Sequence, residues 1–271
     1  MSRVHEDEDW DRLYEEYAGN ADFNPTTRYR THLILSLIQN GDLNPGSIRV
    51  LDVGCGAGTF ARELKEAFPN AEILGIDKSR VGVAHSLRKV PMETFFQQDL
   101  LQETTLPEKF EGWATFATCA EVLEHIDDPE VILKRIKLYL SAECRLLVTV
   151  PSGPMSQFYR FIGHRRHYAP ADLRMLLEKS GYEVIRILRA GFPFFNLYRI
   201  LLSLRGRSAI EDAASKPGAL RFWFTKIVMS VFSALFRLNL TNSPFGWQLV
   251  AVARKKLEPA AEIPTPFKKA A

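Results

Sequence analysis

The sequence has few cysteines and no long hydrophobic run. Its three cysteines, Cys55, Cys119 and Cys144, form no C-x-x-C pair, which excludes a disulfide framework or a zinc knuckle and indicates a reducing compartment. The longest strongly apolar, uncharged stretch, Ile227 to Phe236, has ten residues, whereas a membrane-spanning helix needs about 20. The acidic N-terminus has no apolar segment and so does not resemble a signal peptide. We therefore expect a cytoplasmic protein that does not cross a bilayer by itself.

Charge is nearly balanced overall but unevenly distributed. The net charge of +3 is the difference between 35 basic and 32 acidic residues, so the total predicts no particular partner. Residues 1–25 carry eight acidic residues against two arginines, whereas residues 192–271 carry twelve basic residues against four acidic ones. Such asymmetry predicts a surface or membrane preference at one end of the chain.

Short β-rich runs alternate with helical patterns through the middle of the chain. This alternation predicts an α/β protein with a parallel, doubly wound sheet. The predicted strands are Arg49–Val53, Glu72–Ile76, Thr94–Gln97, Trp113–Cys119, Arg145–Val150, Tyr182–Leu188 and Trp247–Ala253.

A glycine-rich loop follows the first predicted strand and opens a helix. It contains Gly54, Gly56 and Gly58, and glycines there let the backbone approach a ligand beside a helix N-terminus. Thr59 stands where a dinucleotide-binding fingerprint requires its last glycine, and the Gly-Lys-Ser/Thr ending of a P-loop is absent. Asp52 lies two residues before the first glycine, where its carboxylate can accept hydrogen bonds from an amine.

Two further aspartates lie at the ends of the next two strands. Asp77 ends the second strand, 19 residues beyond Gly58, where doubly wound folds place the carboxylate that binds ribose hydroxyls. Asp99 ends the third strand, where it could accept a hydrogen bond from an adenine amino group with Leu100 beside the ring. Because aspartate is depleted in strands and favours turns, any one of the three could be only a turn former, but their ordered set favours a nucleoside site.

The ordered motifs VLDVGCGAGTFA, GIDKS, QQDL and TCAEVLEHIDDPE resemble those of class I S-adenosylmethionine-dependent methyltransferases over about residues 24–190. Within that superfamily, the Glu-x-x-Glu-His segment is most similar to the ubiquinone-biosynthesis O-methyltransferases. The resemblance implies that Gly54, Gly56 and Gly58 surround the methionine part of the cofactor. It further implies that the ribose is bound by Asp77 and the adenine by Asp99, that Cys119 and Ala120 line the cofactor cleft, and that the cofactor carboxylate is contacted by Arg28, with Arg30 as the alternative.

The same resemblance implies the fold and its division into segments. We expect a Rossmann-like, doubly wound seven-stranded α/β sheet whose last strand is antiparallel, with a helical insert between strands six and seven. The expected segments are N-terminal cap helices (1–40), the methyltransferase core (41–191), an aromatic amphipathic helical insert (192–245), the last core strand (246–255) and a disordered tail (256–271).

The segment Glu121–His125 follows the fourth strand, at the carboxyl edge where open α/β sheets bind ligands. Methyl transfer requires alignment of the acceptor and removal of its proton, so His125 is a candidate base, with Glu121 beside it. Alternatively, Glu121, Glu124 and His125 could hold a divalent cation such as Mg²⁺. His164 is then a fourth candidate ligand, since small-RNA 2′-O-methyltransferases join a similar Glu-x-x-Glu-His to a loop histidine. The neighbouring arginines could instead bind an anionic substrate, or the whole segment could be a solvated loop.

The insert at 192–245 holds ten of the thirty aromatic residues in the chain and has a net charge of +5. Three interpretations remain open: a helical hairpin packed on the domain or forming a homodimer interface, a lid over a lipophilic substrate, and interfacial attachment to a membrane. The ubiquinone-pathway enzymes place their membrane-associating insert before the sixth strand, so the resemblance does not extend to a quinone substrate.

Together these features predict an S-adenosylmethionine-dependent enzyme with a small, lipophilic acceptor, and the Glu-x-x-Glu-His resemblance implies that an oxygen of this acceptor is methylated. Methylation of carbon or nitrogen and a non-catalytic adaptor at the membrane are the alternatives. A dehydrogenase is opposed by Thr59 and by the absence of a Tyr-x-x-x-Lys motif. No nucleic-acid partner is expected, because the basic residues accompany an apolar insert rather than a basic groove.

Overall fold

The computed structural model describes the backbone of residues 10–21, 24–39, 48–102, 107–206 and 219–256, and the side chains of these residues except 16–21 and 219–225. The strands are β1 (Arg49–Val53), β2 (Glu72–Asp77), β3 (Thr94–Gln97), β4 (Ala114–Ala120), β5 (Leu140–Pro151), β6 (Tyr182–Ala190) and β7 (Gln248–Lys255). The helices are α1 (Trp10–Ala21), α2 (Pro25–Gln39), α3 (Thr59–Ala67), α4 (Arg80–Lys89), α5 (Pro129–Ile136), α6 (Gln157–Phe161), α7 (Pro170–Lys179), α8 (Phe194–Arg205) and α9 (Ala219–Phe236).

The seven strands form one sheet in the order β3-β2-β1-β4-β5-β7-β6. Strands β1 to β5 pair in parallel, and β7 runs antiparallel to both β5 and β6. This confirms the expected doubly wound sheet with an antiparallel last strand. Strands β2 and β3 lie on one side of β1, and β4 and β5 lie on the other, so the strand order reverses between β1 and β4. The loops after β1, β2 and β4 therefore meet at one edge, where such sheets bind ligands.

Apolar side chains cover both faces of the sheet, as parallel strands require. On one face, Leu51, Leu74 and Leu146 pack into a cluster with Leu133 of α5 and Leu173 of α7. The other face packs against α2, α3, α4, α8 and α9 through residues that include Val50, Ile73, Ile34, Leu64, Val83 and Phe236. Both clusters hold the sheet rigid, so its carboxyl edge is a fixed platform for the loops.

The insert packs its inner side on α2 through an aromatic cluster. The ring of Tyr29 lies 5.3 Å from that of Phe195 and 5.5 Å from that of Phe236, centroid to centroid. Tyr198 contacts Phe232 at 4.9 Å. The hydrophobic effect therefore attaches α8 and α9 to the core, in agreement with a hairpin packed on the domain. Residues 207–218 of the expected insert and the expected tail beyond residue 256 lie outside the described residues.

Some element boundaries differ from those predicted. Strand β5 begins at Leu140 rather than Arg145, because Leu140 pairs with Ala114 before an irregularity that shifts the register at Phe116. Pro129 occupies the first turn of α5, and the side chain of Asp128 before it makes no capping hydrogen bond. Within the ranges given above, no helix combines the length and hydropathy required to cross a membrane.

Candidate active site

The glycine loop turns sharply between β1 and α3. Gly54, Gly56 and Gly58 have φ values of 74°, 53° and 72°, in the left-handed region that favours glycine. A Cβ on Gly54 would lie 2.3 Å from Cγ2 of Val122, so a side chain there would collide with the loop after β4. The amides of Gly54 and Cys55 both donate to the carbonyl of Ile76, at 2.7 and 3.1 Å. The loop is therefore held against the end of β2.

Asp77 joins the glycine loop to the start of α4. Its Oδ2 accepts a hydrogen bond from the amide of Gly56 at 2.8 Å, and its Oδ1 accepts one from the amide of Ser79 at 2.7 Å. Burial raises the pKa of the Asp77 carboxyl, against the opposing effect of these two bonds. Each carboxylate oxygen can accept a second hydrogen bond, so the side chain can hold the loop and still receive hydroxyl donors.

Asp52 lies buried beneath the glycine loop. Its Oδ1 accepts a hydrogen bond from the Thr118 hydroxyl at 2.7 Å, whereas its Oδ2 has no partner among the described residues. Burial raises the pKa of this carboxyl to about 7, the Thr118 hydroxyl lowering it and Asp77 raising it further. A buried carboxyl with an unpaired oxygen beside the loop is suited to receiving an amine donor from a ligand.

Asp99 and Leu100 lie at the end of β3, at the same edge. The Oδ1 of Asp99 accepts from the amide of Leu101 at 2.9 Å, and its Oδ2 lies 3.7 Å from the Lys78 ammonium. Leu100 is buried. The loop glycines, Asp52, Asp77 and Asp99 thus lie at or just beyond the carboxyl ends of three adjacent strands, as the sequence predicts.

Two expected cofactor contacts fall elsewhere. Arg28 is exposed and lies near Glu63, where its charge acts to lower the pKa of the Glu63 carboxyl. Arg30, in contrast, lies 3.6 Å from Glu121. The side chain of Cys119 is fully buried in the core cluster, so it does not line a cleft; the next residue, Ala120, is partly exposed. Both differences arise because neighbouring residues of a helix or strand point in different directions.

Helix α1 covers the glycine loop, which sequence reasoning did not find. A Cβ on Gly56 would lie 2.5 Å from the Tyr14 hydroxyl, and burial raises the pKa of that hydroxyl, with Asp77 adding to the effect. The Oδ1 of Asp11 accepts from the hydroxyl of Ser79 at 2.6 Å and from the amide of Val81 at 3.1 Å. Helix α1 therefore packs over the glycine loop through Tyr14, and Asp11 accepts hydrogen bonds at the start of α4.

Glu121, directly after β4, has a φ of 56°, a sparsely populated conformation for a residue other than glycine. Its Oε1 accepts from the side-chain amide of Gln248 at 2.8 Å and the hydroxyl of Thr149 at 3.1 Å, and its Oε2 lies 3.6 Å from Arg30. Strands β5 and β7 and helix α2 thus fix this side chain at the edge of the site.

Glu124, His125 and His164 form a cluster whose potential ligand atoms lie within 4.8 Å of one another. Glu121, expected to join them, is not part of this cluster, because its oxygens are directed to Gln248 and Arg30. Both carboxylate oxygens of Glu124 are buried, with no hydrogen-bond partner in the described parts of the chain. Burial, with Glu121 adding to the effect, raises the pKa of Glu124 well above its usual value.

Hydrogen bonds determine the tautomers of the histidines. The Nδ1 of His125 lies 3.1 Å from the Gly163 carbonyl, and the Nδ1 of His167 lies 3.1 Å from that of Gly153. Because a carbonyl only accepts, both Nδ1 atoms carry the proton. The Nε2 of His167 then accepts from the Nδ1 of His164 at 3.2 Å. His125 and His164 therefore both present Nε2 as an acceptor.

Burial keeps these rings neutral. It lowers the pKa of His125 to about 4, of His164 to about 2 and of His167 to about 4. At neutral pH His125 and His164 thus each keep an Nε2 lone pair that can take a proton or bind a cation, whereas the Nε2 lone pair of His167 accepts from His164.

A buried arginine from the insert completes the edge of the site, a feature that its place in a helical pattern did not reveal. Arg199 of α8 is 3% exposed. It donates to the Tyr159 hydroxyl at 2.8 Å and to the carbonyls of Ser152 and Trp247 at 2.7 and 2.8 Å. Its guanidinium also lies 4.6 Å from the Tyr159 ring centroid. The insert is therefore fastened to the segment after β5, beside the histidines.

Several known proteins are similar to this chain in sequence. A family model described as a methyltransferase domain matches residues 26–187. The ubiquinone biosynthesis O-methyltransferase of Aeromonas salmonicida is 29% identical over 154 residues, which cover 49% of this chain and 62% of that enzyme. The Acinetobacter baumannii enzyme of the same name is 27% identical over 180 residues, covering 65% of this chain and 70% of that enzyme.

A solved structure has the same fold. Phosphoethanolamine N-methyltransferase 2 of Haemonchus contortus, in complex with S-adenosyl-L-methionine, superposes with a TM-score of 0.54 at 17% identity and covers 92% of this chain and 60% of that one.

Proposed function

The chain belongs to the class I S-adenosylmethionine-dependent methyltransferases, and we propose that its acceptor is a small lipophilic molecule methylated on oxygen. The observation that carries the proposal is the neutral His125, whose Nε2 is an acceptor at the carboxyl edge of β4. The O-methyltransferases among the similar enzymes support oxygen as the atom methylated. Because the Aeromonas salmonicida enzyme is covered over 62% of its length, this acceptor chemistry is our inference and not a transferred property.

The residues around the glycine loop fit the cofactor. When bound, S-adenosylmethionine supplies a sulfonium methyl group for transfer. The backbone from Gly54 to Gly58 would cradle its methionine part, since a backbone without Cβ atoms can approach a ligand closely. Asp52 and Asp77 would accept hydrogen bonds from its amine and its ribose hydroxyls, and Asp99 from its adenine. The unpaired oxygen of Asp52 is the observation that best supports this fit.

The acceptor's proton would pass to Nε2 of His125. The carbonyl of Gly163 holds Nδ1 protonated, so Nε2 is the nitrogen that can accept a proton when the ring is neutral. Burial weakens the base, because it lowers the pKa of His125 to about 4. The side chain thus suits an acidic hydroxyl, such as a phenol, better than an aliphatic alcohol, since proton transfer is easier from the stronger acid.

A divalent cation at Glu124, His125 and His164 is the second candidate for activating the hydroxyl. The unpaired, buried oxygens of Glu124 favour it, because a buried carboxylate is stabilised by a cation. Two imidazoles and one carboxylate suit Mn²⁺, Fe²⁺ or Zn²⁺ better than Mg²⁺, which prefers oxygen ligands. A bound cation would lower the pKa of an acceptor hydroxyl.

The proposal is tested with the purified full-length protein and methyl-labelled S-adenosylmethionine. Lipid and polar cell extracts serve as separate acceptor pools, and mass spectrometry of the labelled product identifies the methylated atom. We expect label in the lipid pool as a methyl ether or ester. Label confined to the polar pool, or a labelled amine or carbon, would overturn the acceptor assignment.

The role of His125 is tested once a product is known. His125→Asn should lower kcat by about 100-fold or more, the usual contribution of a general base, with little change in cofactor affinity. His32→Asn, an exposed histidine of α2, is the matched control and should keep full activity. Equal activity of the two variants would remove His125 from the mechanism.

The cation is tested separately by chelation. The cation site would be supported if excess chelator removes turnover and added Mn²⁺ or Zn²⁺ restores it. The variant Glu124→Gln should then lack turnover even with the cation present. Full turnover in excess chelator would exclude it and leave His125 acting alone.

A further inference from the structure

The outer side of the insert exposes large apolar side chains to solvent. Leu197, Leu201 and Leu204 lie on one face of α8, separated by four and three residues, and Leu204 is 79% exposed. The same side of the insert segment continues into the turn before β7, where Phe245 contacts Phe192 at 5.5 Å. We call these exposed residues the outer patch: Leu197, Ile200, Leu201, Leu204, Leu238, Leu240 and Phe245.

A groove with a volume of about 370 Å³ opens within the outer patch. Leu197 and Ile200 of α8 form part of its wall, and Phe245 and Trp247 form another part. Arg189 of β6 also lines it, and the Nε of Arg189 is buried without an acceptor among the described residues. An apolar groove with a cation in its wall matches a molecule with a hydrocarbon part and an anionic group.

The charge around the outer patch has one sign. No aspartate or glutamate occurs from Val184 to Arg205 or from Ala219 to Arg254. Exposed Arg205 and Arg237 lie at the ends of α8 and α9. An apolar surface on two segments whose charged residues are all basic is complementary to an anionic lipid surface, where side chains enter the acyl region and bases meet phosphates.

The same charge argues against a second copy of the chain as the occupant. A two-fold dimer through this surface would bring identical basic residues together, and like charges repel at short range. The aromatic cluster already buries the inner side of the insert against α2. Contact with a second copy is therefore not needed to hold α8 and α9 in place.

We propose that the outer patch docks the protein onto the anionic face of a lipid bilayer, with the groove accepting part of one lipid. Docking would place the outer patch at the level of the lipid headgroups, with the aromatic cluster on the side away from the bilayer. The inference does not depend on the acceptor or on catalysis, because it concerns a surface outside the candidate active site.

Vesicle flotation of the full-length protein tests the proposal without cofactor or acceptor. Phosphatidylcholine vesicles are compared with vesicles that also contain phosphatidylglycerol. We expect the protein to float with the anionic vesicles, to float poorly with the neutral ones, and to be released by high salt. Equal flotation with both vesicle types, or none with either, would overturn the proposal.

A matched pair of variants locates the surface. Leu204→Glu places a charge on the outer patch, whereas Met175→Glu places one on α7, where Met175 is 64% exposed. Leu204→Glu should weaken vesicle binding at least about tenfold, since a leucine entering the lipid contributes roughly 1.5 kcal/mol or more. Met175→Glu should leave binding unchanged. Both variants should unfold at the wild-type temperature, because both sites are exposed.

Two outcomes would contradict the assignment to this face. One is equal vesicle binding by the two variants. The other is a dimer of the wild-type protein in light scattering that Leu204→Glu dissociates, which would show a second copy as the occupant.

Discussion

The ring of Trp10 packs edge-on against the ring of His125, with 4.9 Å between their centroids. Trp10 begins α1 and His125 follows β4, so the contact joins the N-terminal helix to the candidate base. Because Tyr14 of the same helix covers Gly56, α1 spans the glycine loop and the histidine cluster together. One helix thus shields both halves of the candidate active site from water.

Tyr14→Ala should weaken binding of S-adenosylmethionine by about 10- to 100-fold. The expected cause is loss of a partly buried aromatic ring over Gly56 and Gly82, which exposes the loop to water. Leu13→Ala is the matched control, since Leu13 is the preceding residue of α1 and is exposed. Isothermal titration calorimetry measures both; equal affinities would show that α1 does not contribute to the cofactor site.

Asp77→Asn should weaken cofactor binding by about 10- to 100-fold while the protein stays folded. The reason is that hydrogen bonds to a charged acceptor contribute roughly 1.5–3 kcal/mol, and an amide oxygen is a weaker acceptor for ribose hydroxyls. Glu72→Gln, an exposed position at the start of the same strand, should bind normally. An unchanged affinity of Asp77→Asn in calorimetry would contradict the ribose assignment.

Asp52 should make stability depend on pH. Burial raises its pKa from 3.8 to about 7 in the folded protein, so folding favours the protonated carboxyl. Its contribution is therefore fully present below pH 4 and is lost as the pH rises from about 4 to 7, by at most about 1.4 kcal/mol per pH unit.

The isosteric variant Asp52→Asn removes that titration and keeps an acceptor for the Thr118 hydroxyl. In urea unfolding of the cofactor-free protein, the free-energy advantage of Asp52→Asn over the wild type should grow between pH 4 and 7. A constant difference across this range would show that Asp52 is ionised throughout.

Arg199→Met should lower the free energy of unfolding by on the order of 3 kcal/mol. The substitution removes the buried donor to the Tyr159 hydroxyl and to the Ser152 carbonyl, and one of two donors to the Trp247 carbonyl, which keeps the Ser152 amide. Each unsatisfied buried group costs about 1–3 kcal/mol. Arg205→Met, at the exposed end of the same helix, should change stability by less than about 0.5 kcal/mol. Urea unfolding of both variants measures the difference, and equal midpoints would contradict it.

The strand ends and the glycine loop could be predicted from the sequence because their signals are local. Gly54 requires a left-handed backbone, which glycine alone adopts readily. Asp77 ends an apolar run that is buried on both faces, and Thr94–Gln97 was predicted with its observed bounds. Such features depend on the spacing of residues within one strand and its following turn, so the order of motifs also determined the doubly wound topology.

Side-chain direction and long-range contacts were decided by the tertiary structure. Arg28 and Arg30 are two residues apart on α2 and so face different directions; only the docking of that helix brings Arg30 to Glu121. Cys119 points into the core because successive side chains of a strand alternate between the two faces, and the packing of helices determines which face receives which residue.

The sequence by itself determined the family, the fold and the carboxylates at the strand ends. It did so because glycine and aspartate at these positions follow local backbone rules. The tertiary structure alone decided that α1 lies over the glycine loop, that Arg199 reaches the segment after β5, and that Glu124 meets His164. These pairs are separated by tens of residues, and their contacts depend on how amphipathic helices bury their apolar faces, which no local pattern specifies.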